Sequence, residues 1–260
     1  MPPLWIEHSV WLASKKLTLA SQPRLQKADK QWASTTIDAQ SAALALQQRL
    51  ETRPKSSIST LNMLISGDWV RYAVLPWQEG LYQPADWDAY ARLILAQQFA
   101  GSTEGWRLCI NPAGFGESRL VAAMDESIYQ VTIELARVNK LRLSSVQPLF
   151  SAVHQQYRKQ LKATEFALVI TEADQLCCGF WRDAAWQGIV SLPLNQDSEA
   201  LLDGGMAALL RQAAMLAQVS LPPQIYISST THPLAKLSLP ECQVSYLGVV
   251  HPLFAGDLAI

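Results

Sequence analysis

The chain has 260 residues, 49% of them hydrophobic and 17% charged, with a formal net charge of −1. That length supports one large domain or two lobes with cores of their own, and the composition excludes extended disorder. Scattered lysines and arginines against a balanced charge leave no electrostatic footprint for nucleic acid.

From the N-terminus, "LWIEHSV", "WLASK" and "LTLAS" read as short strands of an antiparallel meander, followed by a polar connection over 21–36. "TIDAQSAALALQQRLETRP" puts Ile37, Ala42, Leu46 and Leu50 on a helix, capped by Thr36 or Asp38 and stopped at Pro54. "STLNMLIS" and "WVRYAVLPW" return to strand. In "QPADWDAYARLILAQQFAG", Pro84 precedes a cap at Asp86 and Gly101 closes the helix. "WRLCINP" and "SRLVAAMD" are strands on either side of the loop "AGFGE". "ESIYQVTIELARVNK" is a helix capped by Asp125, "LRLSSVQPLF" a strand and "SAVHQQYRKQL" a short helix that exposes His154.

Near 161–164 the pattern restarts. "FALVITE", "QLCCGFWRD" and "AAWQGIVSLPL" are three consecutive strands. "SEALLDGGMAALLRQAAMLAQ" is a long helix capped near Asp197 or Ser198, with Gly204 and Gly205 permitting close helix packing. "QIYISST" and "CQVSYLG" are two more strands. Both halves therefore open with three strands, a helix and a strand, which is an architectural repeat.

Cys109, Cys177, Cys178 and Cys242 form no C-x-x-C pair, and adjacent cysteines on a strand face opposite sides. His8, His154, His232 and His251 lie far apart, so the thiols read as buried groups in a reducing cytosol rather than as zinc ligands. "NPAGFGES" lacks the third glycine of a dinucleotide fingerprint and leads into a strand. A Gly-x-Ser-x-Gly elbow is absent. Most of the nine tryptophans are expected in cores, with one or two marking a partner surface. No stretch approaches the roughly 20 apolar residues of a membrane-spanning helix, and the N-terminus lacks an export signal, so a cytoplasmic protein is expected.

The repeat, with "RLVAAMDESIYQVTIELARVNKLRLSSVQPLFSAVHQQYRK" (119–159) and "FALVITEADQLCCGFWRDAAWQGIVSLPL", resembles the actin-like ATPase superfamily. The nearest likeness is to pilus-assembly actin-like proteins and to the cytoplasmic domain of the type II secretion actin-like platform protein. The resemblance implies an α/β fold of two ribonuclease H-like lobes. The first would span 1–162, with an inserted α+β subdomain at about 69–123, and the second 163–260.

Active members carry Asp-x-Gly at the turn after each lobe's first strand, the carboxylate acting through Mg²⁺ and the glycine admitting phosphate. Here the second-lobe turn reads Ile170-Thr171-Glu172-Ala173-Asp174, without that glycine, and the first-lobe counterpart is taken as Glu7-His8-Ser9. The late Gly-Gly that contacts adenosine is replaced in "YISSTTHPLAK". The resemblance therefore implies a non-catalytic scaffold, not an enzyme, with no resident cofactor or metal.

Its implied partner is the short cytoplasmic tail of an inner-membrane pilus or secretion protein, or an assembly ATPase. The groove between the first lobe and segments 69–123 is the candidate binding surface. Relatives in the secretion branch carry a transmembrane helix after this domain, whereas this sequence ends at "HPLFAGDLAI". Peripheral membrane association is therefore expected only through a partner. The alternative is an ATP-binding switch with a diverged site, holding ATP and Mg²⁺ at Glu7, Thr171, Glu172 and Asp174. A further alternative, a metal-dependent ribonuclease H-type nuclease, needs clustered carboxylates. Its candidates Glu7, Glu51, Glu172 and Asp174 are divided between the lobes, Glu7 and Glu172 at comparable strand ends.

Overall fold

The computed structural model describes residues 4–24, 31–38, 41–194, 205–230, 239 and 241–250. Two five-stranded mixed sheets of the same topology dominate it. The first is built from β1 (Trp5–Leu12), β2 (Lys16–Pro23), β3 (Gln31–Thr36), β4 (Ile58–Ile65) and β8 (Arg142–Pro148), in the order β3-β2-β1-β4-β8. The second contains β9 (Phe166–Thr171), β10 (Gln175–Arg182), β11 (Ala185–Pro193), β12 (Gln224–Ser229) and β13 (Gln243–Val249), ordered β11-β10-β9-β12-β13. In each, the first three strands form an antiparallel meander and the last two pair parallel. This is the βββαβ repeat anticipated from the sequence, in ribonuclease H-like form.

The residues group into two compact units. One comprises the described residues of 4–70 and 124–152, the other those of 71–123 and 153–250. In the first unit, α1 (Ala42–Thr52) and α3 (Glu126–Val138) pack together, burying Leu46 and Leu50 from α1 and Ala136 from α3. Arg53, just past α1, ties their C-terminal ends: its guanidinium donates to the Leu50 carbonyl, to Asn139 Oδ1 at 2.9 Å and to the Asn139 carbonyl at 2.6 Å.

In the second unit, α5 (Met206–Leu216) lays Met206, Leu210 and Ala213 over Ala167, Val169, Cys178, Phe180, Ile225 and Ile227. β9 is buried on both faces, which is why "FALVIT" reads as an unbroken apolar run. Gly188 on β11 is needed for this closeness: a Cβ there would stand 2.8 Å from Ala217 Cβ. The same unit holds a small sheet, β5 (Val70–Leu75), β7 (Arg119–Asp125) and β6 (Trp106–Ile110) in the order β5-β7-β6, packed on α2 (Pro84–Phe99) through Leu75, Trp87, Ala91, Leu95 and Val121. α4 (Leu149–Tyr157) follows β8, and the Tyr157 hydroxyl donates to the Val249 carbonyl at 2.6 Å.

Several local expectations are corrected. The stretches read as two strands at 4–15 are one strand, β1, and 31–36 is a strand rather than polar connection. Ser41, not Thr36 or Asp38, is the α1 N-cap residue, although Asp38 Oδ1 accepts from the Ser41 N–H at 2.7 Å. Gln83 caps α2, with Asp86 at the third helical position completing a reciprocal capping box. Ala100, at φ 49°, takes the left-handed closing position expected for Gly101. Asp125 does cap α3, its carboxylate accepting from Ser127 N at 2.8 Å. Gly205, just before α5, has helical backbone (φ −60°, ψ −39°), as its place in the helix pattern implies, while Gly204 and the caps expected at Asp197 or Ser198 lie outside the described residues.

Cys177 and Cys178 are buried, and burial pushes the Cys177 thiol up to about 12 and Cys178 in the same direction. Cys109 is exposed because β6 alternates and turns it outward, and Cys242 is half-buried, so not all four thiols are core groups. His154 is half-buried rather than exposed, its ring 5.1 Å from Trp186 and 6.1 Å from Trp181. No described helix is long and apolar enough to cross a membrane.

Candidate functional site

A phosphate-binding hairpin of the kind implied by the resemblance must offer free backbone donors and a carboxylate that reaches outward. In the turn between β9 and β10, Glu172 instead folds back on the turn itself, while the Asp174 residue is half-buried. The Glu172 N–H donates to the Gln175 carbonyl at 2.9 Å, and Gln175 Nε2 donates to Glu172 Oε1 at 2.8 Å. Both side chains are buried, at 6% and 5% exposure. The Asp174 carbonyl accepts from Leu194 N–H at 2.7 Å, fastening the turn to the end of β11. The Thr171 carbonyl accepts both the Thr230 N–H and the Thr230 hydroxyl, at 2.9 and 3.2 Å, while the Thr171 hydroxyl is buried without a hydrogen-bond partner. Thr171, Glu172 and Asp174 are thus neighbours on one hairpin.

The equivalent turn in the first sheet is Ala13-Ser14-Lys15, and three backbone bonds prove the equivalence. Ala13 N donates to Lys16 O at 2.9 Å, Ile37 N to Lys15 O at 3.0 Å and Ser66 N to Leu12 O at 2.9 Å. These match Glu172 to Gln175, Leu194 to Asp174 and Thr230 to Thr171, one for one. The first-sheet turn carries no carboxylate; instead the Trp69 indole donates to the Ala13 carbonyl at 3.1 Å.

Glu7 is therefore not at a strand end comparable with Glu172. It lies third in the eight residues of β1, where it accepts from Asn62 Nδ2 at 2.6 Å and pairs with Arg24. The adjacent His8 is fully buried, 2.8 Å from Ser21 Oγ through Nδ1, with Nε2 unpartnered. Burial first, and the Arg53 charge second, lower its pKa from 6.5 to about 4, so His8 is a neutral core group. Glu51 is an exposed residue of α1, accepting from Gln47. Among the described residues, no three His, Cys, Asp or Glu side chains cluster tightly enough to hold a metal ion.

In "YISSTTHPLAK" two of the described hydroxyls serve the sheet: Ser228 Oγ donates to the Gly248 carbonyl at 2.9 Å, and Thr230 closes on Thr171 as above. The remainder of that segment, 231–236, lies outside the described residues.

A second feature was not predictable from any one motif. Trp77, Trp87, Phe115 and Arg119, from four separate stretches, line a groove of about 470 Å³ within the second unit. Trp77 and Phe115 meet edge to face at 5.1 Å. Arg119 lies 4.1 Å above the Trp87 ring, whose indole N–H donates to the Leu81 carbonyl at 3.0 Å. Of the other tryptophans whose side chains are described, Trp11 and Trp186 are buried, whereas Trp5 is 37% exposed.

No protein-family model matches the chain, and no curated protein matches it in sequence. Solved structures do match. The cytoplasmic domain of EpsL, an inner membrane component of the Vibrio cholerae type II secretion system, has a TM-score of 0.58 at 12% identity, covering 97% of this chain and 93% of that one. A Bacteroides thetaiotaomicron protein with actin-like ATPase fold and unknown function scores 0.57 at 10% identity, over 88% and 82%. A PilM–PilN type IV pilus biogenesis complex scores 0.52 at 13% identity, over 86% and 81%. At these identities the likeness is one of fold, a chain with two ribonuclease H-like sheets.

Proposed function

We propose that this protein is a non-catalytic actin-like scaffold that binds protein partners in type IV pilus or type II secretion assembly. One observation carries the reading. The acidic hairpin directs Glu172 into Gln175 instead of outward, and its counterpart Ala13-Ser14-Lys15 has no carboxylate at all. A metal-bridged triphosphate needs a carboxylate that can reach a hydrated Mg²⁺ and a backbone open to phosphate. The fold shared with the EpsL cytoplasmic domain and with the PilM–PilN complex supports the choice of assembly. The partner class that follows is a cytoplasmic segment of an inner-membrane assembly protein, which would hold this chain at the membrane periphery.

The second reading is an ATP-binding switch at Thr171, Glu172 and Asp174. The buried, unpartnered Thr171 hydroxyl favours it, because a ligand group could satisfy that atom. Thermal melting with millimolar ATP and Mg²⁺ separates the two. The scaffold predicts an unchanged melting temperature and no phosphate release. A ligand present at a thousand times its Kd would add about 4 kcal/mol and raise the melting temperature, which would sink the scaffold.

A further inference from the structure

The groove formed by Trp77, Tyr82, Trp87, Pro112, Phe115 and Arg119 combines three properties that define an occupant. Its rim is aromatic and open to solvent: Phe115 is 89% and Tyr82 76% exposed, which is costly for large apolar rings unless they serve a contact. Its floor is rigid. Trp87 is buried to 4% exposure and pinned by its bond to Leu81, and Arg119 is stacked on it. Its charge is uncompensated. Asp86 is engaged by the Gln83 N–H at 2.9 Å and Glu117 by the Gly114 N–H at 2.7 Å. Arg119 has no ion-pair partner among the described residues, and its Nε is buried without an acceptor.

We propose that this groove binds an extended, proline-containing peptide segment of a partner protein, with the Arg119 guanidinium taking a carboxylate of that segment. Proline rings present flat apolar faces to indole and phenyl rings. A polyproline II strand is already ordered, so docking costs it little conformational entropy. The terminal N–H groups of the stacked guanidinium, which carry no ion pair among the described residues, can make a charge-assisted bond to a carboxylate, stronger than one between neutral groups. The aromatic contacts supply area and Arg119 supplies register, so the peptide needs an Asp, a Glu or its own C-terminus a few residues from the proline.

The inference rests on the scaffold reading only in taking a partner protein as the source of the peptide. Its failure would leave the nucleotide results untouched, and ATP binding would leave the groove untouched. The test is selection from a displayed library of random twelve-residue peptides on the whole chain, with peptides that also bind a Trp77→Ala/Phe115→Ala variant discarded.

The expected survivors are enriched in proline together with Asp or Glu. Their affinity falls at least about tenfold with Arg119→Gln, as loss of a charge-assisted bond requires. Phe115→Ala, at a largely exposed side chain, leaves melting unchanged yet weakens binding, which separates binding loss from misfolding. Survivors without proline or without carboxylate, survivors that bind as helices, or no groove-dependent survivors would each overturn the proposal.

Discussion

The two hairpin turns, Ala13-Ser14-Lys15 and Glu172-Ala173-Asp174, share three backbone hydrogen bonds and differ in every side chain. The bonds follow from topology. A meander whose first strand is also paired in parallel must anchor the end of that strand, the end of the third strand and the residue after the fourth at one turn. Side chains are free of that constraint, so the turn can lose or keep its carboxylates while the sheet stays intact. The difference continues along the strands. His8 opposite Ser21 in the first sheet occupies the place of Ala167 opposite Phe180 in the second. The first sheet buries a polar pair at its centre, and the second is apolar there.

The largest expected effect comes from that polar pair. A base whose folded pKa is lowered binds fewer protons than the unfolded chain between the two pKa values. Stability contributed by neutral His8 is therefore present above pH 6.5 and lost as pH falls toward 4. The loss is on the order of 3 kcal/mol over that window. Urea unfolding at intervals from pH 7.5 to 4 should show a component that disappears in His8→Gln. An identical pH slope in that variant would mean that the first sheet is no more acid-sensitive than the second.

A paired substitution addresses the turns themselves. Glu172→Ala strips the buried Gln175 amide of its acceptor and should destabilise by about 2 kcal/mol, whereas Trp69→Phe removes one indole bond to Ala13 and should cost about 1 kcal/mol. If Glu172→Ala were neutral in chemical denaturation, the inward carboxylate would not be holding the hairpin. An effect as small as that of Trp69→Phe, but of opposite sign, concerns the turn between β10 and β11, where Asp183 and Ala184 both have left-handed backbone, φ 53° and 59°. Ala184→Gly relieves a side chain in that region and should raise stability by about 1 kcal/mol, measurable as a higher melting temperature.

The repeat was legible because apolar alternation, the buried run "FALVIT" and the helix that follows each meander are local signals. The first turn was not. "ASKK" contains no glycine, proline, asparagine or aspartate, so only the weak signal of Ser14 marks it, and dividing β1 near Trp11 shifted the expected turn back to Glu7. Thr171, Glu172 and Asp174 were found together because they are contiguous, but the inward direction of Glu172 depends on its bond to Gln175 and on its burial. The aromatic groove lay beyond reading for another reason. Trp77, Trp87, Phe115 and Arg119 converge only when α2 and the strand pair β6–β7 pack, and residue type does not announce that convergence.

The central claim is that neither turn is a nucleotide cradle, and isothermal titration of ATP with Mg²⁺ into the full chain and into Asp174→Ala tests it most directly. The account predicts no binding heat from either protein up to millimolar ATP. Micromolar binding by the natural sequence, abolished in Asp174→Ala, would contradict it.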